Sequence, residues 1–134
     1  MEAMRHEVAG RVFLGGHSYG GRQATMLVAA QPDLVEGLLL LSYPLHPPKK
    51  PEQPRIAHLS NLRTPALFVL GLRDNMATLE EIQEAMKLIP AQTELMLVKG
   101  AGHELVSAKT IGVVATAVVE AFWMFISAEG HLVA

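Results

Sequence analysis

Residues 11–21 read RVFLGGHSYGG, and the fold turns on how that stretch is read. Residues 11–18 carry a short continuous apolar run closed by glycine, the pattern of a buried strand. Residues 20–30 follow with Ala24, Leu27 and Val28 on one face, a helical spacing that Gln31-Pro32-Asp33 stops. Between the two lies Gly16-His17-Ser18-Tyr19-Gly20, a G-x-S-x-G at a strand-to-helix junction. Such a turn presents a serine hydroxyl at the carboxyl end of a strand, and the small residues around it let strand and helix approach closely. It also sets the Tyr19 backbone N–H at a helix start, where it can stabilise an oxyanion. The competing reading is a glycine-rich turn without chemistry.

Working outward, residues 37–43 (GLLLLSY) are apolar on both sides, as a parallel strand covered on both faces requires. Residues 64–72 (TPALFVLGL) and 93–98 (TELMLV) read as two more strands. Residues 78–89 between them form an amphipathic helix. Thr78 is its cap, Glu80 and Glu81 fill its first turn, Leu79, Ile82, Met86 and Ile89 make its stripe, and Pro90 ends it. Residues 105–127 read as a last helix, in one piece or in two around Gly112. Strands alternating with helices predict an α/β fold: a parallel sheet of about four strands with helices on both faces and right-handed crossovers. Residues 44–62 differ in kind. Five of the chain's 8 prolines fall there, interleaved with Lys49 and Lys50, so the segment suits neither a helix interior nor a central strand. It reads as an ordered loop or small lid within a single domain spanning 1–134, with a linker or partner ligand as the alternative.

Composition narrows the function. The chain has 134 residues, 50% of them hydrophobic, enough for one domain with a true core. A formal net charge of -2 argues against a nucleic-acid-binding surface. The absence of cysteine excludes disulfides, a thiolate nucleophile and Cys-based zinc sites, and fits a cytoplasmic location. Residues 1–10 lack the apolar core of a signal peptide. The greasiest stretch, 111–126, contains Glu120 and is short for a membrane span, so it is expected as a buried or interface helix and no membrane partner is expected.

A serine nucleophile needs a base, and the base an orienting acid. Gly102-His103 follows the fourth predicted strand and Asp74 follows the third, which sets both at the sheet end that carries Ser18. The chain order Ser18, Asp74, His103 is that of an α/β-hydrolase triad. Taken singly, His103 could cap the following helix and Asp74 could belong to a turn. Glu104 is set aside as the acid, because adjacent side chains rarely face each other as a triad requires. His17, Tyr43 and His46 are candidates for lining a substrate site; otherwise His17 packs under the turn and His46 is an exposed loop histidine. His6, His58 and His131 lack metal-ligand spacing, so no metal or cofactor is expected. A phosphate cradle fails because the P-loop lysine and the Rossmann spacing are both missing.

The stretches GGHSYGGRQATM, LLLLSYPLHPPKKPEQPR, TPALFVLGLRDNM and KGAGHEL resemble a branch of the α/β-hydrolase superfamily. That branch holds small dienelactone-hydrolase-like proteins and hydrolase-like subunits of chromatin-associated complexes. The resemblance runs from about Gly10 to about Glu120 and includes the distinctive SYPLHPP segment. It implies Ser18 as nucleophile, Asp74 as acid and His103 as base. Asn75-Met76 stands where many relatives carry a proline or small apolar residue. Ser18 also falls much nearer the start of the chain than in the family, so the chain is expected to be the carboxyl-terminal part of a truncated α/β-hydrolase fold. The expected activity is hydrolysis of an ester or related acyl bond of a small-molecule substrate, weakened if one oxyanion donor is lost. Acyl transfer on the same residues is a variant. An open apolar strand edge at 11–15 predicts a homodimer or larger assembly. The alternative function is an inactive hydrolase-like module that works through oligomerisation or protein binding.

Overall fold

The computed structural model describes residues 11–48 and 56–130, the last two by backbone alone. Its elements are β1 (Phe13–His17), α1 (Tyr19–Ala30), β2 (Gly37–Leu41), a short 3-10 helix (Ala57–Asn61), β3 (Ala66–Gly71), α2 (Leu79–Met86), β4 (Thr93–Val98) and α3 (Ile111–Gly130). The strands form one parallel sheet in the order β1-β2-β3-β4. All four therefore end at the same edge of the sheet, and the loops that leave β1, β2, β3 and β4 meet there.

Side-chain alternation divides the core in two. Leu38, Leu40, Ala66, Phe68 and Leu70 face α1, α2 and the 3-10 helix, where Val28, Leu59 and Ile82 are fully or almost fully buried. Leu67 and Val69 face the opposite way, onto Val118, Phe125 and Ile126 of α3. Helices thus cover both faces of the sheet. β3, flanked on each side by a strand and covered on both faces, is buried along its whole length. That is why its sequence is continuously apolar rather than alternating. Burying each such Leu or Phe contributes about 1.5–3 kcal/mol, which makes β3 the anchor of the sheet.

Element ends depart from sequence expectation for identifiable reasons. β2 stops at Leu41 because Ser42 takes a left-handed conformation, φ 54. α2 begins as expected at its Thr78 cap, and Glu81 completes a capping box: the Thr78 hydroxyl accepts from the Glu81 N–H and the Glu81 carboxylate accepts from the Thr78 N–H. It ends at Met86, before Pro90 is reached. The last helix does not begin at 105. Leu105 is left-handed at φ 67, and the Ser107 N–H bonds the Thr110 hydroxyl, so 105–110 form turns. α3 then runs 20 residues without a break at Gly112.

That length corrects the estimate of 111–126. Among the described residues, α3 is long and apolar enough to cross a membrane by length and composition. It is also not a buried helix. It packs one side on the sheet, with Phe122 edge-on to Phe13 at 5.6 Å between centroids. Its other side is exposed: Val113, Val119, Trp123 and Met124 are each 66–76% accessible. The 44–62 loop contains the 3-10 helix; its residues 49–55, with Lys49, Lys50 and two of its prolines, lie outside the described residues. Among the described residues β1 pairs only with β2, so its other edge is open.

Candidate active site

The turn after β1 is built around one close approach. A Cβ on Gly16 would fall 2.6 Å from the Gly20 carbonyl carbon and 2.6 Å from the Gly21 nitrogen. Only glycine at 16 lets α1 start so close to the strand it follows. The chain then passes through Ser18 at φ 57, ψ -126, a conformation that side-chain-bearing residues rarely hold and that costs about 1–3 kcal/mol. Two backbone bonds hold it there: the Ser18 N–H donates to the Leu41 carbonyl (2.7 Å) and the Ser18 carbonyl accepts from the Arg22 N–H (3.2 Å).

Ser18 occupies the N-cap of α1, where a serine ordinarily turns its hydroxyl back onto the helix. Here it makes no such bond. Its Oγ instead lies 2.6 Å from Nε2 of His103. Nδ1 of His103 lies 2.8 Å from Oδ2 of Asp74. The Asp74 side chain is wholly inaccessible, while that of His103 retains 18%. A buried carboxylate must have its lone pairs engaged. Asp74 meets this with His103 on Oδ2 and the Met76 backbone N–H on Oδ1 at 2.7 Å. This donor is a backbone N–H, which any residue at 76 except proline supplies.

The loop carrying His103 reaches this position because β3 ends in glycine. A Cβ on Gly71 would lie 2.5 Å from the Ala101 carbonyl oxygen and 2.6 Å from that of Gly102. The Arg73 N–H bonds the Ala101 carbonyl at 2.8 Å, tying the Asp74 turn to the His103 loop. Tyr19 is the first residue of α1, directly after Ser18.

Ser18, His103 and Asp74 are therefore brought into one hydrogen-bonded chain, and Glu104 has no part in it. The other sequence candidates are disposed differently. His17 does not pack under the turn; it is exposed, and its Nε2 lies 2.9 Å from the His103 carbonyl. Tyr43 is a core residue, 1% exposed, edge-on to Phe68, with its hydroxyl 3.1 Å from that of Thr25. Burial pushes the Tyr43 phenol above its ordinary range. His46 is not an exposed loop histidine: it is 6% exposed, with Nε2 2.8 Å from Glu81 and Nδ1 2.7 Å from the Pro47 carbonyl. Tyr43 thus belongs to the core, while His46 lines a cavity with Leu45, Ile56 and Glu81, on other partners than Ser18 and His103. Ser42 was missed by sequence reasoning. It is fully buried, and its hydroxyl donates to the His103 carbonyl at 2.6 Å. No motif signals a lone serine after a strand; only the parallel register brings it under the loop. Among the described residues no cluster of His, Asp and Glu could hold a metal ion.

Comparison with solved structures gives the same architecture. A monoacylglycerol lipase from Paleococcus ferrophilus superposes with a TM-score of 0.71 at 16% identity, over 89% of this chain and 70% of its own. Est1E from Butyrivibrio proteoclasticus, solved with ferulic acid bound, gives 0.69 at 18% identity, over 94% of this chain and 65% of its own. Dienelactone hydrolase from Anabaena variabilis gives 0.64 at 19% identity, over 86% and 50%. The chain thus spans between half and 70% of the length of these proteins, and the likeness is one of fold. The sequence pattern of the α/β hydrolase domain family matches residues 1–129, nearly the whole chain, and the protein belongs to that family.

Proposed function

We propose that this hydrolase-family chain cleaves an ester or related acyl bond through an acyl-enzyme on Ser18, within the dienelactone-hydrolase-like branch. The observation that carries the reading is the Ser18 hydroxyl turned away from its helix cap onto His103, whose other nitrogen meets a buried Asp74. Oγ of Ser18 attacks the acyl carbon while Nε2 of His103 takes its proton. The Tyr19 N–H, at the positive end of α1, stabilises the oxyanion. Collapse expels the alcohol, which receives the proton from His103. Water then attacks the acyl-enzyme, giving its proton to His103, and the acid leaves as Ser18 recovers its own. Asp74 holds the imidazole by Nδ1 and stabilises its charged form throughout. The sequence of steps uses protein groups, a small acyl substrate and water.

The test is labelling by a fluorophosphonate probe, read by intact mass, on wild type and Ser18→Ala. Stoichiometric labelling lost in the variant supports an activated serine. Folded wild-type protein that takes no label refutes it. A second reading, a module acting through self-association, has its own support: among the described residues β1 has an open edge, and α3 exposes Val113, Val119, Trp123 and Met124 on the side turned away from the sheet. On that reading a second copy covers both, and the protein is a dimer or larger by light scattering.

A further inference from the structure

Resting on the serine-hydrolase reading above, we infer that His17 and Ser42 are positioning residues for His103, holding the base by its backbone carbonyl while its ring exchanges partners. The His103 carbonyl has two lone pairs, and both are engaged: by the Ser42 hydroxyl at 2.6 Å and by Nε2 of His17 at 2.9 Å. A carbonyl only accepts. His17 therefore carries a proton on Nε2, and the Ser42 hydrogen points at the loop.

The two donors come from two different strand ends. His17 is the last residue of β1, and Ser42 follows the last residue of β2. Ser42 is aimed by its left-handed backbone, φ 54, and by its N–H bond to the Val69 carbonyl of β3 (2.9 Å). The rings of His17 and His103 lie 5.5 Å apart. Consecutive residues of the turn thus grip the same histidine at opposite ends: Ser18 by its ring, His17 by its carbonyl.

The chemistry gives that double grip a purpose. His103 stands in a segment, 99–110, that lacks regular structure, with left-handed residues at Gly100 (φ 73) and Leu105 (φ 67). In the resting state the ring is held by Ser18 and Asp74. Once Ser18 is acylated, Oγ has no hydrogen to donate, and Nε2 must turn to the incoming water. Of the ring's two bonds only the one to Asp74 persists. The carbonyl bonds to Ser42 and His17 involve no atom that reacts, so they hold the backbone of His103 in place through deacylation. A small misplacement of a catalytic group is enough to cost up to about a hundredfold in rate.

His17→Met removes the donor at an exposed position, and His17→Gln restores a side-chain N–H at the same reach. Turnover of p-nitrophenyl acetate is expected to fall about tenfold in the Met variant and to return to within about twofold in the Gln variant. The melting temperature of both should match wild type. Ser42→Ala should lose turnover in the same direction. The independent readout is the proton NMR signal of the His103 Nδ1–H on Asp74, which requires no catalysis. It should broaden through solvent exchange in His17→Met and persist in His17→Gln. If His17→Met keeps both the turnover and the sharp signal, the clamp is wrong. If wild type neither labels nor turns over ester, the hydrolase reading fails, and the NMR comparison still decides whether His17 holds His103.

Discussion

Replacing Gly16 with alanine asks whether the turn geometry is what holds this site together. The added Cβ would meet backbone: the Gly20 carbonyl carbon and Gly21 nitrogen at 2.6 Å, and the Gly20 oxygen at 2.8 Å. Ordinary contact begins near 3.4 Å, so β1 and the first turn of α1 would have to part by about 0.8 Å. None of those atoms can swing aside as a side chain would. Overpacking of this kind costs about 2–3 kcal/mol. For a chain of this size that lowers the melting temperature by about 10 °C. The same displacement carries Ser18 away from His103 and should slow fluorophosphonate labelling by about a hundredfold. Gly20, the other outer glycine of G-x-S-x-G, is the internal control: a Cβ there has no heavy atom within 4 Å. Gly20→Ala should be neutral or stabilising by up to about 1 kcal/mol, since alanine is the better helix residue. Circular-dichroism melts of the two variants decide the matter. A Gly16→Ala protein melting within about 2 °C of wild type, or a Gly20→Ala protein as damaged as Gly16→Ala, refutes the steric account.

Asp74→Asn should leave the fold intact and reduce ester turnover by about 10⁴-fold, because an amide nitrogen facing Nδ1 shifts the imidazole proton to Nε2, where it cannot accept from Ser18. A loss of less than tenfold in steady-state kinetics would count against the assigned role. His58 sits against Thr25 at 2.7 Å, and burial, followed by the charge of Arg22, holds its pKa below the ordinary histidine value. The unfolded chain therefore binds the extra proton first, and stability contributed by neutral His58 is lost as pH falls below about 6.5 toward the folded-state value. Melting curves between pH 8 and 5 should slope more steeply for wild type than for His58→Gln; parallel curves would exclude the linkage. If a second copy covers α3, Trp123→Glu should convert the dimer to monomer in light scattering, and a wild type already monomeric would remove the self-association reading.

The sequence by itself determined the strand and helix order, because each element's apolar period depends on its own residues. It also identified Ser18, Asp74 and His103 as the residues to examine, since a parallel sheet puts the end of every strand at one edge whatever the side chains do. Thr78 likewise is the expected cap, and Glu81, three residues on, completes a capping box with it. What needed the tertiary structure were contacts between segments distant in the chain. Tyr43 went into the core because Phe68 and Thr25 close around it, and His46 was drawn inward by Glu81. The start of α3 at Ile111 followed from a left-handed Leu105 that local propensity does not encode. Ser42 gained its place at the site only through the register that sets β2 beside β3 and under the His103 loop. Period is written locally in a chain, but the partner of a polar side chain is chosen by packing, and only the folded molecule specifies it.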